Sequence, residues 1–382
     1  MKNGTKGRLS LLVLIVSTIL APLGCAASPP VRAGAAPAED VRVELVEWAR
    51  LAQSAHNYQS WRVVLDPVRS DRMELYVESG RLLPETDPYA RQTVISLGTF
   101  LAVIDARAAQ LGYRAEIDLL PDGELDEQNL SRLPAARVTL ARTANPSSRF
   151  EAAADVDALT TATMKYRYRP AEIDAGLAAR ITAWLGNGID VEVVSDPDQV
   201  AWLNRVSLDA FTIEMEHEPT LMETYESTRW NGRDRRHAPY GLAFTANFPR
   251  HALWLVDALM TVAPQRPAAF GRTGVRTFTS AIEHINTYIV LKTGDNSRRA
   301  QIETGMVLQA LWMELHSSGH VVLANSQALQ EYPAMAPLYA EVHERLAPDG
   351  GTVQMLLAVA RPRGGRHAFS PRFAAEELIV GR

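Results

Sequence analysis

Four side chains that can donate and accept hydrogen bonds lie within six positions of the chain, at Ser54, His56, Asn57 and Gln59. Such a set suits the edge of a heterocycle or a polyhydroxylated chain better than it suits an apolar core. The same residues would also make an ordinary polar connection that caps a helix. The spacing therefore predicts a ligand-binding loop, with the purely structural role as the open alternative.

The elements on either side of this loop are expected to hold it in place. Leu45, Val46 and Ala49 recur at helical spacing before it, and residues 61–66 form an apolar run typical of a buried strand after it. Residues 73–78 alternate between apolar and polar side chains, which favours a hairpin with the preceding strand. The loop is thus expected at a helix-to-strand junction.

Two long apolar helices are expected further along the chain, over residues 92–111 and 299–318. Asp87 and Arg91 stand at the start of the first helix and are interpreted as groups that cap and complement it. Between residues 214 and 274 helical regularity is low and Pro and Gly are frequent. We expect this stretch to be a long excursion that covers a ligand.

A basic cluster follows the middle of the chain, with Lys165, Arg167 and Arg169 at alternating positions. Because Pro170 prevents the segment from continuing as a helix, the three cations would lie on one side of an extended chain. That arrangement can hold a phosphate monoester. A solvated run of surface charge remains the alternative interpretation.

The loop at residues 54–61 resembles the motif Ser-x-x-Asn-x-Gln-Pro-Trp of the nitroreductase family of flavin enzymes, and in particular its Acg-like branch, which has His before the Asn. Ser60 stands where the family has Pro. Residues 81–113 resemble the segment that leads into the branch's central helix and its closing Gly-Tyr pair. The positions that match in the motif and in the central helix of the second half are Ser54, His56, Asn57, Gln59, Trp61, Gly305, Gln309 and Gly319.

The resemblance, which covers residues 43–372, implies an α+β fold of the nitroreductase type, with a mixed or antiparallel sheet covered by helices. It implies two halves in one chain that form an internal pseudo-dimer. The first half would span residues 41–148 and the second residues 149–382, with the covering segment at about 214–274. A break at residues 145–148 favours this boundary.

The same resemblance implies non-covalent binding of FMN, with no catalytic side chain, because the flavin carries the chemistry. Lys165, Arg167 and Arg169 fall where the branch has Arg-x-Thr-Asn-Arg, which grips the flavin phosphate. The full set of expected cofactor-binding residues is Ser54, His56, Asn57, Gln59, Lys165, Arg167, Arg169, Gln309, Ser326, Gln327 and Arg372.

The activity that the resemblance implies is reduction of nitroaromatic or quinone-like compounds by NAD(P)H, in a monomer or weak dimer. A second hypothesis is a non-catalytic protein that sequesters FMN, because a long covering segment would deny nicotinamide access to the ring. A third is an exported lipoprotein with a degenerate site and only a binding role, which follows if the substitutions at Ser60, Arg167 and Tyr168 abolish the affinity for flavin.

Composition narrows the classes of partner. The chain has 382 residues, 47% hydrophobic and 22% charged, which are values typical of a globular protein. Its net charge of -5 argues against a nucleic-acid partner, although residues 228–237 are locally basic. No zinc-ligand spacing, P-loop or Gly-x-Ser-x-Gly elbow is present.

The first residues predict export. Lys2, Lys6 and Arg8 precede the apolar run 9–23, and Cys25, the only cysteine, follows directly. The region resembles a bacterial lipoprotein signal, which implies a lipid anchor at Cys25, a periplasmic location and residues 1–25 as signal peptide. Cleavage after residues 25–27 by the ordinary signal enzyme and an uncleaved anchor remain open. Residues 26–40 are rich in Ala and Pro and are expected to be a flexible tether.

The lipidation hypothesis predicts that Cys25→Ser changes both the mature mass and the membrane association of the protein. The reason is that a serine cannot carry the thioether-linked lipid, which supplies most of the membrane affinity. Mass spectrometry and membrane fractionation of the two forms measure the effect. Unchanged mass and fractionation would exclude the lipid at Cys25.

Overall fold

Two antiparallel sheets and two long buried helices form the framework of the structure, a computed structural model that describes residues 40–148, 168–182, 188–248, 250–363 and 370–381. The strands are β1 (Trp61–Leu65), β2 (Arg72–Val77), β3 (Tyr113–Leu119), β4 (Ala136–Arg142), β5 (Tyr168–Pro170), β6 (Ile189–Val194), β7 (Thr228–Arg229), β8 (Leu242–Ala243), β9 (Tyr288–Thr293), β10 (Val321–Ala324) and β11 (Thr352–Pro362). The helices are α1 (Val41–Ala49), α2 (Arg91–Gln110), α3 (Ala175–Thr182), α4 (Pro197–Glu216), α5 (Glu218–Glu226), α6 (Gly232–His237), α7 (Leu253–Val262), α8 (Pro267–Ile282), α9 (Arg298–Ser317), α10 (Ala336–Leu346) and α11 (Ala375–Leu378).

The first sheet has the strand order β1-β2-β4-β3. The expected hairpin of β1 and β2 is confirmed, with Trp61 opposite Val77 and Leu65 opposite Met73. Helix α1 and the loop at residues 53–60 lead directly into β1. The predicted helix-to-strand junction is therefore present at the edge of this sheet.

The second sheet has the order β10-β11-β9-β6, and the short strand β5 pairs with the end of β11. Nine consecutive residues at the start of β11 are buried. A run without polar alternation is expected when a strand is covered on both faces. Strand β11 thus lies in the middle of the second core.

Helices α2 and α9 cross at Gly98 and Gly305, where their backbones nearly touch. A Cβ placed on Gly98 would lie 1.9 Å from the carbonyl oxygen of Ile302, and one on Gly305 would lie 1.8 Å from that of Ile95. Only glycine permits such an approach. On one side α9 packs Met306 into the first core, and on the other it packs Leu311 into the core of the second sheet. The helix pair therefore joins the two sheets.

The structure is a mixed α/β fold, as expected, but residues 214–274 differ from their prediction. Instead of an irregular excursion they contain the last three residues of α4, all of α5, α6 and α7, and the first half of α8. The expected signal peptide and residues 26–39 of the expected tether lie outside the described residues. Within the described ranges, no helix combines the length and apolar character needed to cross a bilayer.

Candidate functional site

The loop between α1 and β1 has an unusual backbone. His56, Asn57 and Gln59 have φ values of 46°, 56° and 50°, and they are three of the five non-glycine residues with positive φ in the described chain. Each left-handed non-glycine residue costs roughly 1–3 kcal/mol unless its surroundings impose it. Such clusters of strain are found at ligand-binding positions, so the contacts that impose this one define the candidate site.

The two central helices hold the start of the loop. The Ala55 amide donates to Ser96 Oγ at 3.1 Å, and the Thr99 hydroxyl donates to the Gln53 carbonyl at 2.6 Å, both from α2. From α9, Gln309 Oε1 accepts a hydrogen bond from the Gln53 amide at 3.0 Å. Residues of both halves of the chain therefore fix one loop.

Asn57 ties the loop to two distant segments. Its Nδ2 donates to the carbonyls of Gly241 and Pro371, each at 3.0 Å, and its own carbonyl accepts from the Gly241 amide at 2.9 Å. Tyr58 adds a hydroxyl contact of 2.8 Å to Ser227 Oγ. Residues of the segment at 214–274 therefore contact the loop directly.

Gln59 is fully buried and uses its amide to complete the same arrangement. Its Nε2 donates to the Pro239 carbonyl at 2.9 Å, and its Oε1 accepts from the Phe373 amide at 3.0 Å. The Gln59 backbone amide in turn donates to Ser54 Oγ at 3.1 Å. Ser54 and Gln59 thus set the shape of the loop through contacts within the protein.

Three of the predicted cofactor-binding residues carry a buried polar atom without a hydrogen-bond partner among the described residues. These atoms are Asn57 Oδ1, Gln309 Nε2 and Gln327 Oε1. A buried group left in this state costs about 1–3 kcal/mol, so it usually marks a missing water, ion or ligand. Together the atoms offer one donor and two acceptors, which matches a ligand edge that itself both donates and accepts.

Helix α2 connects the motif loop with the loop after β10. Ser326 Oγ lies 3.3 Å from Gln92 Oε1, and Gln92 is one helical turn before Ser96, which holds Ala55. Residues four positions apart share a face of a helix. Ser326 therefore approaches the same face of α2 as the motif loop does, and Gln327 follows it in the chain.

Arg372 lies against the end of α1. Its guanidinium has contacts of only 3.4–3.5 Å to the carbonyls of Leu51 and Ala52, and no carboxylate pairs with it in the described part of the chain. Burial, reinforced by the nearby Arg50, lowers the pKa of Arg372 to about 10. An anion at this position would relieve the unpaired charge.

Arg169 lies elsewhere, on β5, and its partner in the sheet is Arg361 on β11. Both residues are exposed. Like charges directly opposite each other on paired strands are unfavourable unless an anion neutralises them. Arg361 is a candidate that sequence reasoning missed, because only the strand register brings it to Arg169. Lys165 and Arg167 lie outside the described residues. Within the described residues, Arg372 and Arg169 do not contact each other.

A separate pocket of 380 Å³ opens beside the starts of α2 and α9. It is lined by Tyr89, Arg91, Glu124, Asn296, Ser297, Arg298, Gln301 and Glu331. The Arg298 guanidinium donates hydrogen bonds to the carbonyls of Leu125 and Tyr89 and to Gln301 Oε1. The pocket contains none of the predicted site residues. No cluster of three potential metal ligands occurs in the described ranges.

Comparison with known proteins gives only distant similarities. No family model and no curated protein matches the chain. Among solved structures, an FMN and NADPH-dependent nitroreductase from Sphigopyxis sp. strain HMH has 18% identity and a TM-score of 0.34 over 59% of this chain and 96% of that one. A protein from Anabaena variabilis assigned provisionally as a nitroreductase has 12% identity and a TM-score of 0.33 over 82% of each chain. Because TM-scores of this size do not establish a shared fold, the site is interpreted from its own contacts.

Proposed function

We propose that this protein is an FMN-dependent oxidoreductase of the nitroreductase type, which reduces nitroaromatic or quinone-like compounds with NAD(P)H. The observation that carries the proposal is the set of unpartnered buried atoms on Asn57, Gln309 and Gln327 beside a loop held in a left-handed backbone. The motif at Ser54 to Trp61 supports it from the sequence.

The residues present fit FMN. An isoalloxazine edge offers carbonyl and imine acceptors for the amide donor on Gln309 and one N–H donor for one of the amide oxygens on Asn57 and Gln327, and a ribityl hydroxyl could donate to the other. Ser326 would complete the ring side. Bound FMN supplies the hydride and electron transfer, while the protein supplies placement and electrostatics.

The phosphate would be held by cations. Arg169 lies opposite Arg361, so an anion there would remove a like-charge contact, and the sequence adds Lys165 and Arg167. Arg372 offers a further guanidinium without a carboxylate partner in the described ranges. Charge-assisted hydrogen bonds contribute about 1.5–3 kcal/mol each, so these residues would determine the affinity for the phosphate.

The protein's own groups would position the ligand and exclude water. Asn57 and Gln59 donate hydrogen bonds to the carbonyls of Gly241 and Pro239, and these contacts support a covering role for the segment. His56 would pack or hydrogen-bond at the flavin edge. We further propose one site per chain, built by the two halves as an internal pseudo-dimer, because Asn57 comes from the first half and Gln309 from the second.

Sequestration of FMN without turnover is the second candidate. Its specific support is the direct hydrogen bonding between the covering segment and the motif loop, at Gly241 with Asn57 and at Ser227 with Tyr58. A cover fixed in this way would keep nicotinamide from the ring. The two functions differ in turnover but share the FMN site.

Ligand affinities test the site. Arg372→Ala and Arg167→Ala are each expected to weaken FMN binding about ten- to a hundredfold and to leave riboflavin, which lacks the phosphate, nearly unaffected. Asn57→Ala is expected to weaken both ligands alike, since it would act on the ring. Fluorescence titration of the purified protein measures these constants and the stoichiometry.

The matched control is Arg114→Ala, because Arg114 is an exposed arginine paired with Glu116 on β3. It is expected to change neither affinity. Equal losses for FMN and riboflavin in the Arg372 variant would remove that residue from the phosphate. Two flavins per chain would refute the shared site.

Turnover separates the two functions. The FMN-loaded protein is expected to oxidise NADH or NADPH in the presence of a nitroaromatic or a quinone, as followed by nicotinamide absorbance. Gly241→Ala should raise this rate if the cover limits access, because its Cβ would lie 2.3 Å from the Ser227 carbonyl and displace the segment. Gly80→Ala, with only an ordinary contact of 3.5 Å, is the control. Bound, photoreducible flavin that neither nicotinamide reduces would favour sequestration.

A further inference from the structure

Helix α7 presents an uncharged apolar face to solvent. Trp254 is 73% exposed and Val262 is 85% exposed, with Ala258 exposed between them. The spacing of four places these three residues on one stripe of the helix. Leu255 and Leu259 flank the stripe and are half-buried. Contiguous apolar surface of this kind marks an interaction site, since the free face of a surface helix is normally charged.

The only charged residue of α7 does not interrupt this stripe. Asp257 forms an ion pair of 3.1 Å with Arg235 on α6. This pair fixes α6 against α7. The exposed Arg233 and Arg236 therefore lie on the helix that packs beside the apolar stripe.

The surroundings of α7 are strongly basic. Residues 228–276 contain eight arginines, two aspartates and no lysine or glutamate, which gives +6 in a chain whose net charge is -5. Both aspartates are engaged, Asp257 with Arg235 and Asp234 with the Trp230 amide. The charges of this segment that are exposed to solvent are therefore all cationic. They belong to Arg233, Arg236, Arg266, Arg272 and Arg276.

We propose that α7 and the adjacent arginines form a docking surface for an anionic phospholipid bilayer. A helix with Trp and aliphatic side chains on one face and arginines beside it is suited to lie in the membrane interface, where the apolar face enters the acyl boundary and the cations meet lipid phosphates. The bilayer is a better occupant than a second copy of the chain. A symmetric contact would bring two +6 segments together, and their repulsion would oppose it.

The proposal is independent of the FMN site and of the predicted lipid at Cys25. If that anchor exists, the tether of residues 26–40 would keep the folded part within about 20 Å of the membrane surface, which raises the local concentration of the docking surface there. Docking would then fix one orientation of a protein that the anchor alone leaves free to rotate.

Vesicle sedimentation of residues 26–382 tests the surface without the anchor. This form retains every residue of the described cores, which begin at Leu45. We expect it to sediment with vesicles of equal parts phosphatidylcholine and phosphatidylglycerol, less so in high salt, and not with phosphatidylcholine alone. The double substitution Trp254→Ser with Val262→Ser is expected to lower the partition coefficient about tenfold or more.

A second double variant, Arg233→Ala with Arg236→Ala, is expected to lower the same coefficient by about fivefold per arginine and to flatten its salt dependence. It leaves the apolar stripe intact, so it tests the proposal even if the first variant folds poorly. Val68→Ser is the matched control, because Val68 is 90% exposed on the turn between β1 and β2 and has no apolar stripe beside it. It should bind as the parent does.

Three outcomes would overturn the proposal. The first is no binding to anionic vesicles, and the second is equal binding by the parent and both double variants. The third is a dimer in the absence of lipid, seen by analytical ultracentrifugation, that the Trp254 and Val262 substitutions dissociate. That result would assign the stripe to a contact between copies of the chain.

Discussion

Gly305→Ala is expected to lower the free energy of unfolding by about 3 kcal/mol or more, the upper end of overpacking costs. Its new Cβ would lie 1.8 Å from the Ile95 carbonyl oxygen and 2.9 Å from the Cα of Gly98. The obstacle is helix backbone, so no side-chain rotation can relieve it. Helices α2 and α9 would have to separate, and both cores would lose packing. Urea denaturation followed by circular dichroism measures the loss.

The control for this variant is Gly294→Ala. A Cβ added to Gly294 would have no neighbouring atom within 4 Å, and the residue has no positive φ, so its substitution should change stability by less than about 0.5 kcal/mol. The Gly305 variant should also bind flavin more weakly, because Gln309 lies one turn further along α9. Parent-like stability of Gly305→Ala would show that the two helices do not cross as closely as the structure has them.

Arg91→Ala is the second large effect, with an expected loss of about 3–5 kcal/mol. Arg91 is 1% exposed, and it donates to the carbonyls of Gln354 and Leu329 at 2.8 and 2.7 Å. Its Nε also lies 3.5 Å from Glu331. Removing the guanidinium would leave two buried carbonyls and a carboxylate without their donor. Thermal and urea unfolding measure the change.

Arg114→Ala serves as control, since its ion pair with Glu116 is more than half exposed on both sides and should contribute at most about 1 kcal/mol. A comparable small loss in both arginine variants would contradict the bridging role of Arg91. The two variants should differ in stability because a buried acceptor that loses its donor has no water to replace it, whereas water hydrates an exposed acceptor.

The start of α2 shows how far the sequence could predict these contacts. Asp87 does cap the helix, since its carboxylate accepts from the amides of Gln92 and Thr93. Arg91 does not complement the helix start but reaches Gln354, 263 residues away. Capping is a local property that sequence spacing encodes. A partner so distant depends on how the two sheets pack, which spacing does not encode.

The local sequence does not predict helices α7 and α8, for a related reason. Pro267 and the glycines after it are typical of breaks, but Pro267 occupies the first turn of α8, where proline is tolerated. Gly271 packs against the carbonyl of Met215 on α4, where a Cβ would lie 2.8 Å away. Only tertiary context distinguishes a glycine that ends a helix from one that allows two helices to approach.

The sequence predicts which residue types form the candidate site, but it does not predict their backbone conformation. Polar composition and the motif single out Ser54 to Gln59, and the structure places Gln309 beside the same loop. The left-handed conformation of His56, Asn57 and Gln59 has only a weak local signature, because none is glycine although Asn and His adopt positive φ more often than other residues. Contacts with Gly241, Pro371 and Phe373 impose this conformation. No local sequence pattern predicts where these three residues lie.

The contact between Asn57 and Pro371 also affects the order in which parts of the fold can form. The two residues are 314 positions apart, and the nearby Val380 amide donates to the Val63 carbonyl at 2.9 Å. During synthesis the loop emerges first, but the acceptor that holds its side-chain amide emerges 314 residues later. Contacts of such long sequence separation form late in folding, because a large chain entropy must first be lost. The loop therefore cannot reach its final shape before Pro371 has been synthesised, and any ligand that needs this shape must bind after that point.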